Sequence, residues 1–139
     1  MENKLNKELD LLKNSVLNED FVEIAYEITE NIEGYEDAFD AIDPILQLIE
    51  QNPTIDFGFP GPLVHFVEQF SGKGYEEKLV QSIRRYPTTY TVWMINRVVN
   101  DSVGQEKINY IEILKNVLNY PKISNDLSSF TKELLSLQN

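Results

Sequence analysis

No cysteine occurs among the 139 residues, which excludes disulfide frameworks, thiolate metal sites and cysteine nucleophiles and is compatible with a reducing compartment. A single histidine, His65, leaves no three-histidine metal site, and any serine–histidine–acid triad would have to pass through it. No Gly-x-Ser-x-Gly elbow, Walker loop or dinucleotide fingerprint accompanies it. No apolar run approaches the ~20 residues that span a bilayer, and the N-terminal stretch lacks the basic start and apolar middle of a signal peptide. These absences predict a cytoplasmic protein that is not an enzyme, with no catalytic, metal-binding or cofactor-binding residues and no membrane partner.

The most local absence is of positive charge. Residues 14–72 hold thirteen Asp and Glu and not one Lys or Arg, whereas the rest of the chain holds ten acids against twelve bases. The formal net charge of −11 is therefore a segment of −13 joined to a remainder of +2. An acidic surface repels phosphate backbones, so direct nucleic-acid binding is not expected. The same surface attracts and steers a cationic protein partner. Solubility alone would also account for acids spread over helix faces.

What the chain does contain is a repeat. Pro53, Pro87 and Pro121 stand 34 residues apart, and their N-terminal flanks align: Ile45 with Leu79 and Ile113, Leu46 with Val80 and Leu114, Ile49 with Ile83 and Val117, and Tyr86 with Tyr120. Each flank has apolar residues at three- and four-residue steps, closed where proline cannot donate to a helical ladder and disfavours helix in the residue before it. A second amphipathic segment follows each. Repeats of this length predict an all-α fold, a right-handed stack of helical hairpins of the HEAT or armadillo kind, with about eight helices in one domain over 1–139.

Taken in order, residues 4–17 form a first helix with Leu5, Leu9, Leu12 and Val16 on one stripe. Asn18 or Asp20 caps a second, with Phe21, Ile24, Ala25, Ile28 and Ile32 inward and Gly34 at its end. Along its other side run Glu23, Glu27 and Glu30, whose mutual repulsion costs a few tenths of a kcal/mol per pair. A merely solvated face more often mixes in lysine, so this stripe is a candidate partner-binding face. A third helix spans 36–51, either kinked at Pro44 or broken there with Asp43 as cap and Pro44 in first position. Asp37 and Asp40 then stand at a corner, without the spacing of a calcium loop.

The segment 52–62 concentrates glycine, proline and phenylalanine. Phe57 and Phe59 are expected to plug a groove between hairpins, or else to form a partner-binding tip, with Asp56 nearby and Pro62 opening a helix over 63–70. His65 and Glu68 stand one turn apart, and His65 is expected as a hydrogen-bonded packing residue rather than a metal ligand. Helices follow over 75–86 and 88–100, the latter buried on more than one side with Trp93 in the core. A further helix carries Ile108, Ile111, Leu114, Val117 and Leu118. The last is capped by Ser124 or Asp126 and turns Leu127, Phe130, Leu134 and Leu137 inward.

Two stretches, DFGFPGPLVHFVE at 56–68 and PTTYTVWMINRVVN at 87–100, resemble a group of small all-helical bacterial immunity proteins encoded beside polymorphic or contact-dependent toxins. The resemblance covers about the middle third of the chain. It implies a cytoplasmic protein that binds and inactivates a cognate toxin domain, usually one with a cationic substrate-binding face such as a nuclease. Toxin contacts do not transfer residue by residue, because in such systems shared residues hold the fold and the contact surface varies. The residues themselves nominate Glu23, Glu27, Glu30, Asp37, Asp40 and Asp56 as the surface that meets a basic toxin. A second reading is a helical-repeat adaptor that binds a host peptide through Tyr90, Trp93 and Arg97. An enzyme built on acids around His65 is the least supported.

Overall fold

The structure is a computed structural model that describes residues 3–58 and 60–138. Among the described residues every regular element is helical. The chain divides into two compact units, residues 1–75 and residues 76–139.

The first unit contains α1 (Lys4–Asn14), α2 (Phe21–Glu33), a 3-10 turn (Ala38–Ala41), α3 (Ile42–Gln51) and α4 (Gly61–Glu68). Asn3 starts α1 by accepting the Leu5 N–H on its side-chain oxygen at 2.8 Å, filling one of the donors a helix start leaves open. The helix stops at Asn14, short of the expected 17, and Leu17 lies in the following turn, largely exposed. Phe21, Ala25, Ile28, Thr29 and Ile32 are the buried residues of α2, recurring at three- and four-residue steps as a one-sided helix requires. The helix packs against both α1 and α4. Gly34 closes it at φ −83°, an ordinary right-handed conformation that does not use glycine's freedom.

Of the two expectations for 36–51, the broken helix is found, with the new helix starting two residues ahead of Pro44. The 3-10 turn gives way to α3 at Ile42, which makes Pro44 the third residue of α3 and leaves Asp43 inside the helix rather than capping it. The first four N–H groups of a helix have no intrahelical acceptor, so a proline there removes no bond.

The loop before α4 is fixed locally. Asp56 Oδ1 accepts the Gly58 N–H at 2.8 Å. Gly58 takes φ 90°, and a Cβ added there would lie 2.9 Å from the Gly61 Cα. Only glycine fits such a site without backbone movement. Phe57 is 1% exposed and meets the Phe21 ring edge-on at a centroid separation of 5.6 Å, as the plugging role expects. Phe59 lies outside the described residues. Pro62 is the second residue of α4. A second aromatic chain runs Phe39 to Phe70 to Phe66, both steps edge-on.

The second unit takes in nearly all of α5 (Tyr75–Arg85), then α6 (Thr89–Asp101), α7 (Gly104–Asn116), a 3-10 turn (Val117–Asn119) and α8 (Asn125–Ser136). Thr88 and Thr91 close a reciprocal capping box at the start of α6. Eight residues of α6 are buried, Tyr90 to Val92, Met94 to Asn96, Val98 and Val99, which fits the expectation of burial on more than one side. Helices α7 and α8 both pack on α6 and on each other. Ser124, not Asp126, caps α8, accepting the Leu127 N–H at 3.1 Å. Near the chain end the Gln138 amide donates to Asn96 Oδ1 at 2.7 Å and to Asn100 Oδ1 at 3.1 Å.

Three expectations of burial fail in this unit. Trp93 is half-buried, with the Arg97 guanidinium 5.0 Å from its ring centre. Of the residues expected inward on α8, Leu137 is 71% exposed and Phe130 only half-buried; Ile108, one of the apolar residues that mark α7, is 53% exposed. Thirteen residues of α6 have more apolar positions than one helix can turn inward at once, and α7 buries only Leu114.

The proline register does survive as secondary structure. Helical runs end at Gln51, Arg85 and Asn119, each two residues before Pro53, Pro87 or Pro121. The third aligned apolar position is buried each time, at Ile49, Ile83 and Val117. Tyr86 and Tyr120 meet edge-on at 6.3 Å, and the Tyr120 hydroxyl donates to the Arg85 carbonyl at 3.2 Å.

Candidate functional site

Helix α2 orients the acidic stripe. Because its buried residues begin at Phe21 and return at Ala25, Ile28 and Ile32, the positions between them are turned outward, and Glu23, Glu27 and Glu30 are all exposed. At 100° per residue and 1.5 Å rise these three lie within about 60° of one another around the helix and span roughly 10 Å along it. No hydrogen bond or ion pair with a described residue engages their side chains or that of Asp40. The sequence makes that inevitable locally, since no base lies between residues 14 and 72 to stand at an i,i+4 position.

The stripe is also unfavourably placed in the helix's own field. Glu23 stands in the first turn, where the macrodipole favours an anion, but α2 has no basic residue in its last turn, where Glu30 and Glu33 face the negative end. The Glu27–Glu30 and Glu30–Glu33 pairs add like-charge repulsion of about 0.2–0.5 kcal/mol each. A cation brought to this face relieves both costs.

The other nominated residues divide. Asp40 is exposed on the 3-10 turn. Asp37 is half-buried and accepts a hydrogen bond from the Asn3 side-chain amide at 2.9 Å, which ties the start of α1. Asp56 is exposed, but its carboxylate shapes the loop through Gly58. Glu23, Glu27, Glu30 and Asp40 therefore remain for a partner, while Asp37 and Asp56 serve the fold.

Tyr26 was not anticipated. It is 43% exposed on α2, three residues after Glu23 and four before Glu30, so an aromatic ring stands beside the carboxylates. The available signal was its position: one residue past buried Ala25, it falls outside the apolar arc.

His65 is exposed on α4, contrary to the expectation of a packing histidine. The apolar residues around it take the inward face: Leu63, Val64, Phe66 and Val67 are all buried. Glu68 is half-buried one turn on. Among the described residues no group of three or more His, Cys, Asp or Glu side chains is arranged to hold a metal ion. Of the adaptor anchors, Tyr90 is 3% exposed and offers no surface, which leaves Trp93 and Arg97.

In the second unit Tyr110 has its hydroxyl pKa raised above the usual 10.0, first by partial burial and then by the carboxylates of Glu76, Glu106 and Glu77. Among the described residues no helix is long and apolar enough to cross a membrane. Comparison with protein-family models, with curated proteins and with solved structures found no match to this chain.

Proposed function

We propose that this protein is an immunity protein, which neutralises a basic toxin domain by covering its cationic, nuclease-like substrate face. The observation that carries this reading is the row of carboxylates at Glu23, Glu27 and Glu30, which pair with no described residue, inside a stretch of chain with no positive charge. A surface with one sign of charge raises the rate of encounter with an oppositely charged partner roughly tenfold or more at low salt. Once docked, carboxylates spaced along a helix occupy the positions where substrate phosphates would sit, and Tyr26 supplies an aromatic face for an arginine. On this reading a right-handed stack of helical hairpins repeating every 34 residues would present the stripe in one geometry, limiting the entropy lost on binding. On this reading the protein works in the cytoplasm and needs no cofactor.

The test is a pull-down of the tagged protein against the products of its neighbouring genes, followed by calorimetry and stopped-flow association at two salt concentrations. A tight complex with a basic domain is expected, its association rate falling steeply with salt. Reversing charge at Glu27→Lys and Glu30→Lys slows association at low salt by tenfold or more; unchanged kinetics would sink the acidic-face reading.

One observation favours a second reading, a helical-repeat adaptor for a host peptide. Trp93 is not sealed in the core but is half-exposed beneath Arg97, an aromatic–guanidinium pair of the kind that anchors peptides. Binding through it would be apolar and nearly insensitive to salt.

A further inference from the structure

Helix α7 is poorly covered. Of its large apolar residues, Ile108, Tyr110, Ile111, Ile113 and Leu114, only Leu114 is buried. Between α7 and α8 runs an open groove of about 420 Å³. Its floor is Ile108, Ile111 and Leu135, with Ile108 53% exposed. Its rim carries Lys115, Lys132 and Glu112. The single acid there is already engaged, since Lys115 Nζ contacts Glu112 Oε1 at 3.4 Å. Lys132 is exposed and pairs with no described residue.

We infer that the α7–α8 groove docks an amphipathic helix of a partner protein, with an apolar stripe flanked by acidic residues. Helices of thirteen and twelve residues are about 18–20 Å long, which matches some three turns of a third helix laid between them. Its apolar side chains would cover Ile108, Ile111 and Leu135, and its carboxylates would meet Lys115 and Lys132. Charge selects the partner's sign. Residues 1–75 carry 16 acids against four bases, residues 76–139 seven against eight, so an acidic helix is repelled by the first unit and meets a cation-rimmed apolar surface on the second. This site is separate from the α2 stripe and does not depend on the neutralisation reading.

The experiment uses the full chain and two synthetic 14-residue peptides, both with leucines at positions i, i+3, i+4 and i+7, one flanked by glutamates and the other by glutamines. Amide shifts of the isotope-labelled protein report the site, and fluorescence anisotropy reports affinity. The glutamate peptide is expected to shift Ile108, Ile111 and Leu135 saturably and to bind at least tenfold more tightly than the glutamine peptide. Ile108→Asp, at an exposed position where folding is retained, removes the binding; Ile108→Ser weakens it and serves as the check should the aspartate unfold α7. Lys115→Glu with Lys132→Glu brings the glutamate peptide to or below the affinity of the glutamine one. Equal affinities for the two peptides, shifts outside the groove, or binding indifferent to Ile108→Asp would each overturn the inference. So would self-association in sedimentation that Ile108→Asp abolishes, because the occupant would then be a second copy of this chain.

Discussion

Residues 1–75 carry 16 acidic against four basic side chains, a net −12, while residues 76–139 carry seven against eight, a net +1. Yet both are built from the same kind of part. Leu46 in α3 and Leu114 in α7 are equivalent in the 34-residue register and both are 0% exposed; Ile49 and Val117 are likewise buried. Burial constrains these positions, because an apolar residue moved to the surface or a polar one moved inside costs kilocalories. Charge on an exposed helix face is constrained by no such term, since surface substitutions usually change stability by less than about 0.5 kcal/mol. The two units therefore differ most where folding demands least, which is where a partner can impose its own requirement.

The sharpest way to break this comparison is to attack what the first unit has and the second lacks. Phe57 fills the core from a loop that has no counterpart in the shorter connections after Arg85 and Asn119. Phe57→Ala is expected to cost about 3–5 kcal/mol in urea unfolding, the usual penalty for truncating a buried phenylalanine. A loss under about 1 kcal/mol would mean that the ring merely rests on the surface. The register itself is tested by Leu46→Ala and Leu114→Ala, each expected to cost about 2–5 kcal/mol. A large penalty at one and almost none at the other would show that the alignment is only sequence-deep.

Helix starts give a smaller contrast. Thr88 caps α6 reciprocally with Thr91, whereas Asp20 makes no side-chain cap on α2. Thr88→Ala should therefore lower stability by about 1 kcal/mol and Asp20→Ala by much less, a difference visible in thermal midpoints. The smallest expected effect has the opposite sign. Glu30→Lys removes two like-charge pairs and places a cation in the last turn of α2, so it should stabilise the protein by about 0.3–1 kcal/mol while weakening capture of a basic partner. Lost stability would argue that the glutamate is held by the fold, and unchanged binding that the stripe is not the contact face.

Much of the helical layout was legible because proline and glycine act locally. Past the first turn a proline cannot donate to the ladder and disfavours helix in the residue before it, so Pro53, Pro87 and Pro121 mark helix ends two residues ahead of them. Pro44 and Pro62, by contrast, sit in first turns, where no bond is lost. The acidic stripe was legible for the same kind of reason: spacing of three and four residues opposite a buried arc leaves Glu23, Glu27 and Glu30 facing water. What could not be read was competition between neighbours. Trp93 and Tyr90 sit on one apolar helix, and nothing local says that Tyr90 is enclosed while Trp93 is left half-exposed under Arg97. Ile108 fits the inward pattern of α7 perfectly well, but its burial needs a surface to cover it. Asp37 and Asp56 look like Asp40 in the sequence; only their hydrogen bonds to Asn3 and Gly58 set them aside for structure.

The sequence by itself determined that this chain is helical, where three of its helical runs stop, and that one long segment carries charge of a single sign. Those properties depend on backbone chemistry and on composition, which act over a turn or two. Only the tertiary structure decided which apolar residues are enclosed, which carboxylates are used by the fold, and that α7 is left with an open apolar groove. Such outcomes depend on which surfaces meet, and burial is shared among residues far apart in the chain.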